Sequence, residues 1–163
     1  VKVKQQPWFP WVSLAARLVL GGVMLVAGAL KVTDPETASQ AVRAYELLPS
    51  ALVAPVGWGL PFLEIAIGLL LILGFGVRAA AVAAGVFMVV FIAAVASAWA
   101  RGLAIDCGCF GGGGQVAPGD TKYLQEILRD AGLLLLAAWL WFNPVSKFAL
   151  ESDPHVPTGV TAS

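Results

Sequence analysis

Charge is what this 163-residue chain has least of. Only 12% of its residues are charged and 59% are hydrophobic, against roughly 25% charged in an ordinary soluble domain. Lysine plus arginine equals aspartate plus glutamate, giving a formal charge of zero. With no basic field, nucleic-acid binding is excluded as an expectation. Histidine occurs once, at His155, and cysteine twice, at Cys107 and Cys109. Two thiols and a distant histidine do not make a structural zinc site or an iron–sulfur cluster, so no metal is expected. No repeat in the 20–50 residue range suggests a solenoid.

What the chain has in excess is long apolar runs. Trp11 to Leu30 is interrupted only by Arg17, Ala51 to Gly76 only by Glu64, and Ala79 to Ala100 by no charge. Each is long enough for the ~20 residues that cross a ~30 Å hydrocarbon core. A fourth run, Ala131 to Phe142, reaches that length when it begins near Tyr123, with Glu126, Arg129 and Asp130 in its first turns. The runs lack the alternation of barrel strands, and backbone groups in lipid must be satisfied within the segment. The expectation is an all-α membrane protein. Its four-transmembrane-helix bundle spans 11–31, 55–76, 79–100 and 123–142, joined by outer loops 32–54 and 101–122. Segment 1–10 and a polar tail, 143–163, flank it.

An even number of crossings puts both ends on one side. Trp8 and Trp11 would then lie level with Trp139 and Trp141, with Trp58 and Trp99 at the other face, as an aromatic belt requires. The lysine and arginine count of the loops does not orient the bundle. The basic start "VKVK" and a cysteine pair suited to an oxidising compartment point to cytoplasmic termini. In the first outer loop, Asp34 or Thr33 caps a helix opened by Pro35 and closed by Pro49. Ala38, Val42, Tyr45 and Leu48 share its apolar face, the pattern of a short amphipathic helix on the membrane surface.

Ionisable groups at membrane depth are costly and face a partner in the bundle. At 1.5 Å per residue, Glu64 sits roughly 13 Å below the outer end of its helix and Arg129 about 9 Å below the end of its own. The expected pair is therefore Glu64 with Arg129, and Lys31 is a second cation from above. Arg17 lies some 10 Å from Glu64 in depth, leaving it to snorkel or to reach a backbone carbonyl. Such pairs lock helix packing. A proton-relay role for Glu64 is the alternative.

The two cysteines stand in "IDCGCFGGGG", outside the lipid, beside Asp106 and before Gly111 to Gly114. A bridge across one glycine closes a very small ring, and strained, exposed bridges are the exchanging kind. The glycines would give an incoming protein access to the sulfurs and let the loop move. Arg101 would favour a thiolate and Asp106 oppose it.

The succession "RLVLGGVMLVAGALKVTDP", "AYELLP", "LPFLEIAIGLLLILG", "RGLAIDCGCFGG" and "ILRDAGLLLLAAWLW" resembles the MauE branch of the DoxX-like membrane proteins, over about Arg17 to Trp141. The resemblance implies a four-helix bundle in the bacterial plasma membrane that forms or handles disulfides outside the cytoplasm, often beside a thioredoxin-fold or DsbA-like protein. It also implies that Cys107 and Cys109 are redox residues, and that Arg17, Lys31, Glu64, Arg129 and Asp130 are motif positions. Electrons leaving a single cysteine pair would pass to another subunit or to a quinone, the latter by analogy with four-helix redox proteins. The alternative is an accessory or assembly subunit of a membrane complex, with Cys107–Cys109 as a static staple. Its support is the small residues Gly21, Gly22, Ala27 and Gly28, which allow close helix approach.

Overall fold

The computed structural model describes residues 8–150. Five helices and one minimal ribbon follow in order: α1 (Phe9–Val32), α2 (Pro35–Ala44), α3 (Ser50–Leu73), α4 (Val77–Ala100), β1 (Ile105–Asp106), β2 (Gly114–Gln115) and α5 (Tyr123–Phe142). Three of them, α1, α3 and α4, are long and apolar enough to cross a membrane. This is an all-α membrane protein apart from the ribbon. Helix α5 has 20 residues, but Glu126, Arg129 and Asp130 in its first turns set it apart from the other three.

Helices α1 and α3 approach closely because glycines face each other. A Cβ on Gly28 would lie 2.6 Å from the Pro61 carbonyl oxygen, and one on Gly68 would lie 2.8 Å from the Gly21 carbonyl oxygen. Without side chains there, the backbones touch and dispersion contacts replace the solvent-driven term that lipid does not supply. Leu20, Met24, Leu71, Ala84, Phe87, Leu133 and Leu140 fill the core between α1, α3, α4 and α5. On α5 the buried positions are Tyr123, Glu126, Asp130, Leu133, Ala137 and Leu140. Their steps of three and four residues trace one helical face.

The chain runs up and down. Phe9 at the start of α1 meets Trp139 near the end of α5, with ring centroids 5.6 Å apart, and Trp99 at the end of α4 stacks on Tyr123 at the start of α5 at 6.1 Å. Between α3 and α4 the turn is tight: Gly74 and Gly76 both take left-handed φ, 72° and 56°, which glycine adopts without a Cβ clash.

Several expectations are corrected here. Helix α3 begins at Ser50 rather than 55 and contains both Pro55 and Pro61. Helix α2 ends at Ala44, five residues before Pro49, because Glu46 turns to a left-handed φ of 52°. Its buried face is Ala38 and Ala41, continued by Tyr45, while Leu48 is exposed. That face rests on protein: a Cβ on Gly57 of α3 would come 2.7 Å from Ser39 Cα, and Ala41 meets the cysteine loop.

The segment after α5 is tied to the bundle over 143–150. The Asn143 carbonyl accepts a bond from Ser13 Oγ at 2.9 Å, Ser146 Oγ bonds Arg17, and Leu150 N donates to the Leu73 carbonyl at 3.3 Å. The rest of the tail, with His155, and the leading Lys2 and Lys4 lie outside the described residues.

Candidate functional site

The second connection folds into a cap over the α4–α5 end of the bundle. Ile105 pairs with Gln115 and Asp106 with Gly114 in an antiparallel ribbon, and the residues between carry both sulfurs. Gly111, Gly112, Gly113 and Gly114 have φ of 80°, 76°, 114° and 112°, a succession open only to glycine. A Cβ on Gly113 or on Gly108 would lie 2.5 or 2.6 Å from the Ala41 side chain. The glycine run therefore shuts the loop down onto α2. It does not hold the sulfurs open to solvent, as the sequence suggested: Cys107 is 7% exposed and Cys109 8%. Val95, Ala98, Ile105, Tyr45 and Tyr123 pack around them.

Hydrogen bonds fix this cap. Tyr123 Oη donates to the Leu103 carbonyl and accepts from Ile105 N at 3.2 Å. Tyr45 Oη reaches the Cys107 carbonyl at 3.4 Å. Asp106 Oδ1 accepts from Gly108 N at 2.8 Å, an Asx turn that sets the bend between the two cysteines.

The two thiols are not equivalent. Cys109 N donates to Cys107 Sγ at 3.2 Å. Hydrogen bonding from the Cys109 thiol, then from its backbone N–H, holds Cys107 below the ordinary thiol range despite its burial. Cys109 is pushed well above that range, because its proton is engaged by Cys107 and because burial opposes a second thiolate. Cys107 is thus the first of the pair to ionise, the property a nucleophilic cysteine requires. Burial, with both sulfurs nearby, also raises the Tyr45 phenol, keeping it a neutral donor.

The charges beneath the cap are arranged differently from the depth estimate. Lys31 Nζ pairs with Glu64 Oε1 at 2.5 Å, both buried. Arg129, expected on Glu64, pairs with its neighbour Asp130 at 2.8 Å, lies over the Phe110 ring at 5.0 Å and lines the small cavity beneath Cys109. Lys31 on Glu64 is as expected, but depth alone misassigned Arg129 because it leaves out the direction in which each side chain leaves its helix. Lys31, at the last turn of α1, extends back toward the α3 carboxylate. Arg101 does not serve the sulfurs: it bonds the Tyr45 carbonyl and the Ser97 carbonyl at 3.3 Å. Arg17 stands apart at the opposite end, fully buried, with Nε on the Leu71 carbonyl at 2.8 Å and Nη2 on the Ile72 carbonyl at 2.9 Å.

Glu64, Cys109, Phe110 and Arg129 share a small cavity of about 20 Å³ with Phe87 and Phe91, space for roughly one water. Glu64 Oε2 and Asp130 Oδ2 are buried without a hydrogen-bond partner. A third such oxygen, Glu126 Oε2, belongs to a residue that sequence reasoning left as a helix-end charge. Its signal was the Tyr123, Glu126, Asp130, Leu133 spacing, which puts Glu126 on the buried face. Asp106, Cys107 and Glu126 bring a sulfur and carboxylate oxygens within 4.8 Å of one another. One sulfur and two carboxylates beside the Arg129 guanidinium are a poor copy of a closed zinc site.

Residues 9–143, from the first helix through the last and including the whole cap, match the family model described as methylamine utilisation protein MauE. The chain belongs to the MauE family. Among its relatives, the methylamine utilization protein MauE of Methylophilus methylotrophus is 39% identical over 145 residues, covering 88% of this chain and 75% of the relative. The MauE of Methylorubrum extorquens is 37% identical over 148 residues, covering 88% and 76%. That of Paracoccus denitrificans is 35% identical over 132 residues, covering 80% and 71%. No solved structure matches the chain. For a MauE-family membrane protein, the cysteine cap, Lys31–Glu64 and Arg129–Asp130 form one continuous region, with Arg17 and Arg101 outside it.

Proposed function

We propose that this MauE-family chain is a membrane thiol–disulfide redox protein that exchanges disulfides with an extracytoplasmic partner through Cys107 and Cys109. The observation that carries the reading is the asymmetry of the pair: a backbone N–H on Cys107 Sγ at 3.2 Å and the Arg129 guanidinium lining the cavity beside Cys109. An inert pair of buried thiols needs neither. Cys107 attacks, a mixed disulfide forms, and Cys109 resolves it. In this reading α5 is the fourth span and α2 lies at the outer membrane surface. The termini face the cytoplasm of a bacterial cell and the cap faces outward. The chain serves a system of the kind its relatives are named for, methylamine utilisation.

A thioredoxin-fold or DsbA-like partner fits the access problem best. The sulfurs are covered, and Phe110 beside Cys109 is 41% exposed, a large apolar handle on the cap itself. A protein that grips Phe110 can draw the glycine loop off α2. A quinone ring is far larger than the one-water cavity below Cys109, so a quinone acceptor requires the helices to part there. The accessory-subunit reading, with a static Cys107–Cys109 bridge, is favoured instead by the tight packing of Gly108 and Gly113 on Ala41.

Equilibration of the purified chain in glutathione redox buffers, followed by trapping of free thiols, tests the choice. An exchanging pair titrates near the potentials of oxidising catalysts, and a Cys109→Ala variant retains the partner as a mixed disulfide on Cys107. A bridge that yields only to harsh reduction, with no trapped protein, supports the staple.

A further inference from the structure

Oxidation of a dithiol removes two thiol protons, and the buried sulfurs of this cap need an acceptor close by for the first of them. Beside Cys107 stands a carboxylate with one oxygen left unpartnered. Glu126 is 9% exposed. Its Oε2 is buried without a hydrogen-bond partner, and the Asp106, Cys107 and Glu126 heteroatoms lie within 4.8 Å of one another. A buried carboxylate left half-satisfied is expensive, and it is placed at the sulfur that ionises first. Asp106, the other carboxylate at that distance, is exposed and already binds Gly108 N.

We infer that Glu126 is the proton acceptor for the Cys107 thiol, a role that rests on the thiol-exchange reading above and deepens it. Glu126 carboxylate takes the proton of Cys107–SH, leaving a thiolate and a carboxylic acid. The thiolate attacks one sulfur of the partner's disulfide, forming the mixed disulfide and expelling the partner's second sulfur as a thiolate, which Glu126 reprotonates. Cys109 then passes its own proton to the again-ionised Glu126 carboxylate and attacks Cys107 Sγ, and the partner thiolate expelled from the mixed disulfide takes that proton from Glu126. The Cys107–Cys109 bond forms and the partner leaves fully reduced. In the reverse direction Glu126 supplies the proton. The charged and titratable groups around Glu126 are Asp106 and Cys107 from the cap, Tyr45 from the chain after α2, and Arg129 from its own helix. Only Cys107 among them is a thiol that ionises early.

The test uses the full chain in detergent, reduced, with hydroxyethyl disulfide as the probe and the formation of Cys107–Cys109 followed by a maleimide mass tag. Wild type, Glu126→Gln and Glu126→Asp are compared near pH 7 and about pH 9.5. The Gln variant is expected to react roughly a hundredfold more slowly near pH 7, the low end of general-base effects. Its deficit closes at high pH, where hydroxide removes the proton. The Asp variant recovers part of the rate. A Gln variant matching wild type at both values, or slowed equally at both, overturns the proposal and leaves the exchange reading standing. A wild type inert to the probe removes both. Should the Gln variant fail to fold, the Asp variant decides: a pH-dependent deficit supports the role, and none overturns it.

Discussion

Lys31 Nζ of α1 lies 2.5 Å from Glu64 Oε1 of α3 inside the bundle, each side chain almost fully enclosed. The pair fastens the same two helices that Gly21, Gly28 and Gly68 bring into backbone contact, and it sits on the cap side of that seam. Glu64 also lines the cavity under Cys109. One ion pair therefore joins helix packing to the floor of the cysteine site.

Removing one partner leaves a buried charge alone. Lys31→Met or Glu64→Leu is expected to cost about 3–5 kcal/mol, while the double replacement recovers most of it. Thermal unfolding in detergent checks this, and a double variant as unstable as the singles refutes it.

Glycine packing is position-specific along one helix. Gly28→Val must push α1 off Pro61 and costs about 1–3 kcal/mol by overpacking, whereas Gly22, whose Cβ meets nothing within 4 Å, tolerates valine. Equal stability losses at the two sites would show that α1 and α3 are not seated as described.

Arg17 satisfies the Leu71 and Ile72 carbonyls at the end of α3 and holds Ser146 of the segment that follows α5. Arg17→Met strands the Ile72 carbonyl at about 1–3 kcal/mol, while the Leu71 carbonyl keeps its bond from Gly74 N at 3.2 Å. Arg17→Lys restores only part, because one ammonium cannot span the fork. Melting temperatures of the two variants order as Met below Lys below wild type.

The two sulfurs separate by pH. Cys107 is lowered and Cys109 raised, so the thiolate needed for alkylation appears at Cys107 below the ordinary thiol value of about 8.5 and at Cys109 above it. Iodoacetamide labelling across pH, read by peptide mass spectrometry, should mark Cys107 first. Labelling of Cys109 at the lower pH would reverse the assigned roles.

Gly108 and Gly113 press on Ala41 at positive φ. Gly113→Ala is expected to lift the loop from α2 and speed maleimide labelling of both cysteines about tenfold or more, since the barrier is burial rather than ionisation. Gly112→Ala, with nothing near its Cβ, carries the φ strain without the clash and should have the smaller effect.

Much of this was legible beforehand where one-dimensional signals are strong. Apolar run length placed α1, α3 and α4, and Asp34 before Pro35 opened α2 where expected, with its carboxylate accepting from Thr37 N at 3.1 Å. The cysteine pair stood out by its rarity. Lys31 was legible as a cation for Glu64, and Ala38 and Tyr45 as part of the buried face of α2; the Arg129–Asp130 pair, the burial of Ala41 and the role of Arg101 were not. Each depends on which way a side chain leaves its helix and on how far one element is rotated against the next, and depth along an axis holds neither quantity.

The sequence by itself determined that this chain belongs in lipid as packed helices, since its backbone polar groups can be satisfied there only within such segments and its few charges are too sparse for a soluble surface. It also determined that any thiol chemistry is confined to Cys107 and Cys109. Only the tertiary structure decided that the glycines seal those sulfurs, that Arg129 pairs with Asp130 beside Cys109 rather than with Glu64, and that Glu126 lies near Cys107. These are contacts between segments far apart in the chain, set by helix rotation and close packing.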